Sequence, residues 1–438
     1  MVRKMKNSGI EWFPIIPYSW KLGRIKNIID ILTDYTANGS FGDLAKNVQY
    51  LDYEDYARLV RLTDLREKLE NEGIYVSQDS YEYLSKSKLF GGEVLVANVG
   101  AYAGLFCEMP EIDKRATLGP NMFLIRTNQN MLQHYLLYLG NSKIVGEQLI
   151  QKAVSAAQPK LNKNDLKTVV IPIPCIEEQK KIADYLDKKC AEIDSLSSDI
   201  QSQISILEDY KKSVITEAVT KGLNPDVEMK DSGIEWIGEI PSDWKITHFK
   251  YVGTVKSNLV NVSLYQDYPQ ISPDNIAKDS GILLEYNTVE EAGVISDNHL
   301  FYKGQILYSK IRPKLNKAII APFDGLCSAD MYPIETKECS KFVLYMILSQ
   351  YFFKQVTLVT EDRVKMPKIN QEELGKINVV WPTRKRQEDI AKYLDSKCSE
   401  INGAIEDKQK QLEVLEQYKK SLIYEYVTGK REVPDNNG

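Results

Sequence analysis

The feature that most constrains the fold of this chain is an internal duplication. A box running from Lys6 through Ser8-Gly9-Ile10-Glu11-Trp12 to Ile16-Pro17 and Trp20-Lys21 recurs as Lys230, Ser232-Gly233-Ile234-Glu235-Trp236, Ile240-Pro241 and Trp244-Lys245. The offset is 224 residues, and eleven of twenty-three positions are identical. A longer block, 182–220 against 390–428, repeats at an offset of 208 with 22 of 39 positions identical, where chance gives roughly two. The intervening segments, 22–174 and 246–382, have diverged far more, and the first is sixteen residues longer. Only faint parallels survive in them, such as Gly92–Leu95 with Gly304–Leu307 and Pro159–Asn162 with Pro367–Asn370. A duplicated frame that holds two divergent inserts is the organisation of a molecule presenting two different recognition surfaces in equivalent positions.

The repeated blocks read as long helices. Leu186, Cys190, Ile193, Ser197, Ile200, Ile204, Leu207, Lys211, Val214 and Ala218 follow steps of four and three, a heptad seam apolar at all but two positions. The same steps run from Leu394 to Tyr426. Each predicts a helix of about 35–40 residues, ~55 Å long, too long to bury in one small domain. The seam calls for a partner helix, best supplied by the other copy as an antiparallel two-helix coiled coil; the bland alternative is one helix docked along its own domain. The resulting fold class is α/β, with two mixed domains in pseudo-twofold arrangement separated by that coiled coil. The boundaries are 1–174, helix 175–222, 223–382, helix 383–430 and a tail, 431–438. Strands are expected at Glu93–Ala97, Phe123–Ile125, Gln305–Tyr308 and Ala318–Ile320, helices at Leu132–Leu139 and Lys341–Ser349. Extended runs end at Pro174 and Pro382, ahead of the long helices.

Length and composition set outer bounds. At 438 residues, 43% hydrophobic and 27% charged, the chain has the makeup of an ordinary globular protein of two to four domains. The net charge of −5 announces no basic field. Six cysteines without a C-x-x-C pair, and only three histidines, give no spacing for a Cys/His metal site and fit reduced thiols in a cytosol. The basic start lacks a signal-peptide core, and no run approaches the ~20 apolar residues of a membrane span. No membrane partner and an intracellular setting are therefore expected.

Catalytic signatures are missing. The sequence holds no nucleotide-binding P-loop, dinucleotide-binding glycine turn, zinc-protease motif or nucleophile elbow, and no catalytic residue is assigned. Pro225-Asp226 and Pro434-Asp435 read as linker turns. The basic clusters carry more chemistry. Lys310, Arg312, Lys314 and Lys317 place four cations and no acid around Pro313, either as an ordinary solvated loop or as one that grips phosphates. Further candidates for DNA contact are Arg58, Arg61, Lys152, Gln158, Lys160, Asn162 and Lys163 in the first half, and Arg363, Lys365, Lys368 and Asn370 in the second. Lys and Arg neutralise phosphates, whereas Asn, Gln and Arg pair with base edges. Pro159-Lys160 and Pro367-Lys368 occur in both copies, which favours a shared structural or backbone role, because residues that read different sequences should differ. Trp12, Trp20, Trp236 and Trp244, retained in both boxes, are expected to pack, tying each domain to helix ends or to a partner. Tyr185, Tyr393, Tyr210 and Tyr418 lie on helix faces that are either solvated or docking sites for two copies of another protein.

These motifs, S-G-I-E-W, I-P and W-K in each box, I-A-D-Y-L-D or I-A-K-Y-L-D opening each long block, and Y-K-K-S before its end, occur twice in the same order. In this the chain resembles the specificity subunit of type I restriction-modification systems along essentially its whole length. The resemblance implies two target recognition domains, each reading half of a split double-stranded DNA site, with the helices as spacer. It implies two docked methyltransferase subunits that use S-adenosylmethionine, and restriction subunits that use ATP and Mg. This chain would itself bind no cofactor, catalyse nothing and work in the cytoplasm of a bacterium or archaeon. On the residues alone, a structural coiled-coil adaptor and a self-contained DNA-modifying enzyme remain the alternatives.

Overall fold

A computed structural model describes residues 3–153, 159–361 and 367–434. The chain forms two compact units: Met1–Asp199 together with Gln411–Gly438, and Ile200–Lys410. The division falls inside the two long helices. Unit 1 holds the N-terminal half of the first helix and the C-terminal half of the second; unit 2 holds the other halves.

Each unit contains a four-stranded and a five-stranded sheet together with two two-stranded pairs. In unit 1 the all-buried run Val94–Ala97 is an inner strand of a four-stranded antiparallel sheet in the order Phe106–Glu108, Val94–Ala97, Met122–Thr127, Ile29–Asp34. Buried on both faces, such a strand reads as a continuous apolar run. Unit 2 repeats the order with Ala318–Ile320, Ile306–Ser309, Met331–Glu335 and Thr254–Val255. A five-stranded sheet lies beside each, and in both a single parallel pair (Ala57–Val60 with Ala116–Leu118, Pro269–Ile271 with Gly325–Cys327) sits among antiparallel neighbours. The copies differ at the sheet edge. Unit 1 adds Tyr50–Leu51 beside Ile74–Val76, whereas unit 2 adds Leu259–Val260 at the opposite side, beside Asn298–Phe301. All four strands and both helices expected in the variable segments are present, with ends shifted by one or two residues.

The long helices, Ile176–Lys221 and Arg384–Val427, have 46 and 44 residues, about 70 Å at 1.5 Å per residue. They exceed the expected length because they start immediately after the strands, several turns before the heptad seam. Those extra turns bury Ile182-Ala183 and Ile390-Ala391 in the cores of their domains. The pairing is antiparallel within each unit. In unit 1 the rings of Tyr185 and Tyr426 lie 4.7 Å apart and Lys419 Nζ donates to Asp194 Oδ1 at 2.6 Å. In unit 2, Lys211 Nζ donates to Asn402 Oδ1 at 2.9 Å. The seam lysines Lys211 and Lys419 thus form cross-helix pairs at repeat-equivalent positions, whereas Ser197 donates to the Ile193 carbonyl of its own helix. No single helix among the described residues is long and apolar enough to cross a membrane.

The residues shared by both copies build the joints. Gln179, fully buried, accepts from Leu132 N–H at 2.8 Å and donates to Asn130 and Pro174 carbonyls; Gln387 accepts from Cys339 N–H at 3.2 Å and donates to Pro382. Asp187 accepts from Tyr138 Oη at 2.7 Å and Asp395 from Tyr345 Oη at 2.9 Å, so the aspartate of each Y-L-D motif pins a domain helix to the long helix. Trp20 and Trp244 are wholly buried. Each lies against the glycine that ends a long helix: a Cβ on Gly429 would come within 3.0 Å of Trp20, one on Gly222 within 3.1 Å of Trp244. The tryptophans therefore lock boxes to helix ends, as their retention in both copies suggests.

Candidate nucleic-acid interface

The loop after Ile306–Ser309 concentrates the exposed basic chemistry, and its four cations divide into two pairs. Lys310 lies with Nζ 5.3 Å from the ring centre of Tyr332, a cation–π contact. Lys317 is nearly buried and donates to the Pro273 carbonyl at 2.7 Å. Arg312 and Lys314, in contrast, are exposed and have no side-chain partner among the described residues. The chain turns sharply here: Pro313–Leu315 is a single 3-10 turn flanked by Arg312 and Asn316, both in the left-handed region. Lys310 and Lys317 fix the turn, and Arg312 and Lys314 form its accessible tip.

The equivalent loop of unit 1 follows Val94–Ala97 and carries no lysine or arginine. Its tip residue Tyr102 is 45% exposed, and the exposed Arg66 guanidinium stacks on it 4.5 Å from the ring centre. Arg66 and Tyr102 are 36 positions apart in sequence, and only the fold brings them together.

Several sequence candidates prove to be engaged inside the domains. Arg58 donates to the Leu69 and Asn71 carbonyls at 2.8 and 3.1 Å, with its side chain largely buried. Arg61 pairs with Asp64 at 2.9 and 3.0 Å. Burial alone would push the Asp64 carboxyl up, but hydrogen bonds from Arg61 and Asn71 outweigh it and hold the group below the usual carboxylate range. Both arginines thus have partners inside the domain, the Arg58 side chain 12% and that of Arg61 34% exposed. Asn162 and Asn370 are helix N-caps: Asn162 accepts from Asn164 and Asp165 N–H, Asn370 from Glu373 N–H at 2.9 Å. The signal was the capping-box spacing Asn162–Asp165 and Asn370–Glu373. Lys163 pairs with Asp34 at 3.0 Å and Lys368 with Asp330 at 3.1 Å. Lys152 and Lys160 are exposed. Gln158, Arg363 and Lys365 lie outside the described residues.

Among the aromatic candidates, Trp12 is half-buried against the core of unit 1, while Trp236 is exposed. Tyr185 packs on Tyr426, but the residue equivalent to Tyr426 in the other copy is Ala218, and Tyr393 is left exposed. Tyr210 and Tyr418 are exposed on the long helices. Among the described residues no group of His, Cys, Asp or Glu is placed to hold a metal ion.

Two α/β domains on one repeated frame, alike in the order of their four-stranded sheets and different in the side chains at equivalent loop tips, define a two-domain recognition protein. The family follows from sequence: the type I restriction modification DNA specificity domain matches twice, at residues 17–205 and 241–414, and the chain belongs to that family. It is 30% identical over 293 residues to the EcoDI specificity subunit of a type I restriction enzyme from Escherichia coli, a match spanning 62% of this chain and 65% of that protein. Similarity to the MjaVIII specificity subunit of Methanocaldococcus jannaschii is 26% over 358 residues, covering 74% and 77% of the two chains. In fold it resembles a chain from a solved structure described as the basis of complex assembly and conformational transition of the type I R-M system. That likeness has a TM-score of 0.68 at 14% identity and covers 95% of this chain and 99% of the other.

Proposed function

We propose that the chain is the DNA-reading subunit of a type I restriction-modification complex, each domain reading one half of a split duplex target, with the long helices setting the spacing between halves. The observation that carries this reading is the double match of the specificity domain onto two structural units with one order in their four-stranded sheets and different loop tips. Chemistry belongs to partners on this reading: two methyltransferase subunits that use S-adenosylmethionine and restriction subunits that use ATP and Mg, docked on surfaces both copies share. The complex works where the chromosome is, in the cytoplasm of a bacterium or archaeon. A modest net charge of −5 suits it, since the cations that matter are confined to loop tips and partners contribute to phosphate neutralisation.

Mapping methylated adenines genome-wide with the gene intact and deleted tests the reading. The expected result is a motif of two fixed halves around an unread spacer that loses methylation on deletion. An unchanged methylation pattern, or methyl transfer or cleavage by the purified chain alone, would contradict it.

A further inference from the structure

The loops after Val94–Ala97 and Ile306–Ser309 share one backbone plan. Gly100 N–H donates to the Pro159 carbonyl at 2.9 Å and Leu161 N–H to Asn98 at 2.8 Å; in unit 2, Arg312 N–H donates to Pro367 and Ile369 N–H to Lys310, both at 2.9 Å. Short antiparallel bridges, Val99 with Lys160 and Ile311 with Lys368, close both turns alike. This explains why the Pro-Lys pairs survive in both copies: their backbone holds the loop. Each turn places left-handed residues at its first and fifth positions, Gly100 (φ +85°) and Gly104 (φ +94°) in unit 1, Arg312 (φ +46°) and Asn316 (φ +42°) in unit 2.

Glycine meets that backbone demand without strain, whereas a side chain at Arg312 adopts it against steric resistance. The turn of unit 1 shows that glycine suffices. An arginine in a strained conformation, exposed and without a side-chain partner among the described residues, is therefore held there for its side chain rather than for the fold. Two residues further on, Lys314 projects from the same tip, and Tyr102 stands at the matching place in unit 1 under the Arg66 guanidinium.

We propose that these matched tips, Arg312 with Lys314 in unit 2 and Tyr102 with Arg66 in unit 1, are specificity-determining contacts, each set reading its own half of the split duplex. The proposal rests on the DNA-reading function given above. Arginine and lysine suit the O6 and N7 acceptors of guanine, so a G·C pair is expected in the half read by unit 2. The Tyr102–Arg66 stack offers a planar apolar face together with a guanidinium donor, a different chemistry on an identical scaffold.

The test uses the full chain assembled with its methyltransferase subunit and a plasmid library with both half-sites randomised, scored by methylation. Arg312→Gly should relax one position in one half by about ten-fold or more while the melting temperature holds or rises, because glycine relieves the turn. Lys314→Ala should affect the same half, and Tyr102→Ala only the other half. Variants that fold normally and keep wild-type preferences in both halves would overturn the proposal, as would Arg312→Gly and Tyr102→Ala altering the same half. A wild-type complex with no split motif at all would instead remove the DNA-reading function, and the proposal with it.

Discussion

Trp20 and Trp244 occupy equivalent places in the two boxes yet differ in what their indoles meet. Trp20 Nε1 donates to Glu178 Oε2 at 2.8 Å, and Glu178 also pairs with Arg3. The repeat puts Arg386 where Glu178 stands; Arg386 turns to Asp243 at 3.1 Å, and Trp244 Nε1 has no partner among the described residues. Leaving a buried donor unpaired costs about 1–3 kcal/mol, while the exposed Arg386–Asp243 pair contributes little. Glu178→Ala should therefore lower the melting temperature by several degrees, on the order of 2 kcal/mol. Arg386→Gln, which supplies an acceptor, should raise it, and a thermal melt reads both. An unchanged melt for Arg386→Gln would show that the Trp244 donor is already satisfied.

His299 gives a second prediction at this scale. It is buried on Asn298–Phe301 with Nδ1 unpartnered among the described residues, and burial first, then Lys310, holds its imidazole below the usual histidine range. Because the folded value is depressed, the unfolded chain takes up the proton first as pH falls below about 6.5. The stability is present above that value and declines as pH drops toward the folded one. Melting temperatures of wild type and His299→Gln, compared between pH 7.5 and 5, should show a shallower fall in the variant. Equal slopes would exclude His299 as a source of the acid sensitivity.

At the scale of elements, the helix seam is where pattern and packing agree best. Heptad steps from Leu186 and Leu394 located the buried line because a single periodicity covers ten positions, and Lys211 and Lys419, which interrupt it, find partners on the opposite helix. Lys211 is buried and donates to the Asn402 amide, and its burial lowers the ammonium from its usual range against the opposing pull of Cys398, Glu208 and Asp279. The other copy has Asp194 there. Asn402→Asp should restore the charge pair and stabilise by about 1 kcal/mol, read as a rise of a few degrees in melting temperature; a fall would mean that desolvating the carboxylate outweighs the pairing. The short strands and loop tips were less legible. Arg58 and Arg61 looked available because a cation in sequence does not disclose a buried carboxylate such as Asp64. Asn162 and Asn370 suit base reading or capping by residue type alone, and it is the spacing to Asp165 and Glu373 that marks them as caps. Tyr102 with Arg66 needed the fold itself.

At the scale of the whole molecule, one set of residues that the copies share builds the joints, other shared residues such as Tyr210 and Tyr418 stay exposed, and the equivalent loop tips differ. Gln179 and Gln387, Asp187 and Asp395, Trp20 and Trp244 are all buried or bonded at domain–helix junctions. Duplication made this division visible without any second sequence, since each half serves as the comparison for the other. The same logic yields the central claim, that the variable segments are independent readers on a common frame. Its most direct test exchanges residues 22–174 for the corresponding segment of another specificity subunit and maps the methylated motif of the assembled complex. One half of the motif should change to that of the donor while the other half stays as it was; a change in both halves, or in neither, would contradict the account.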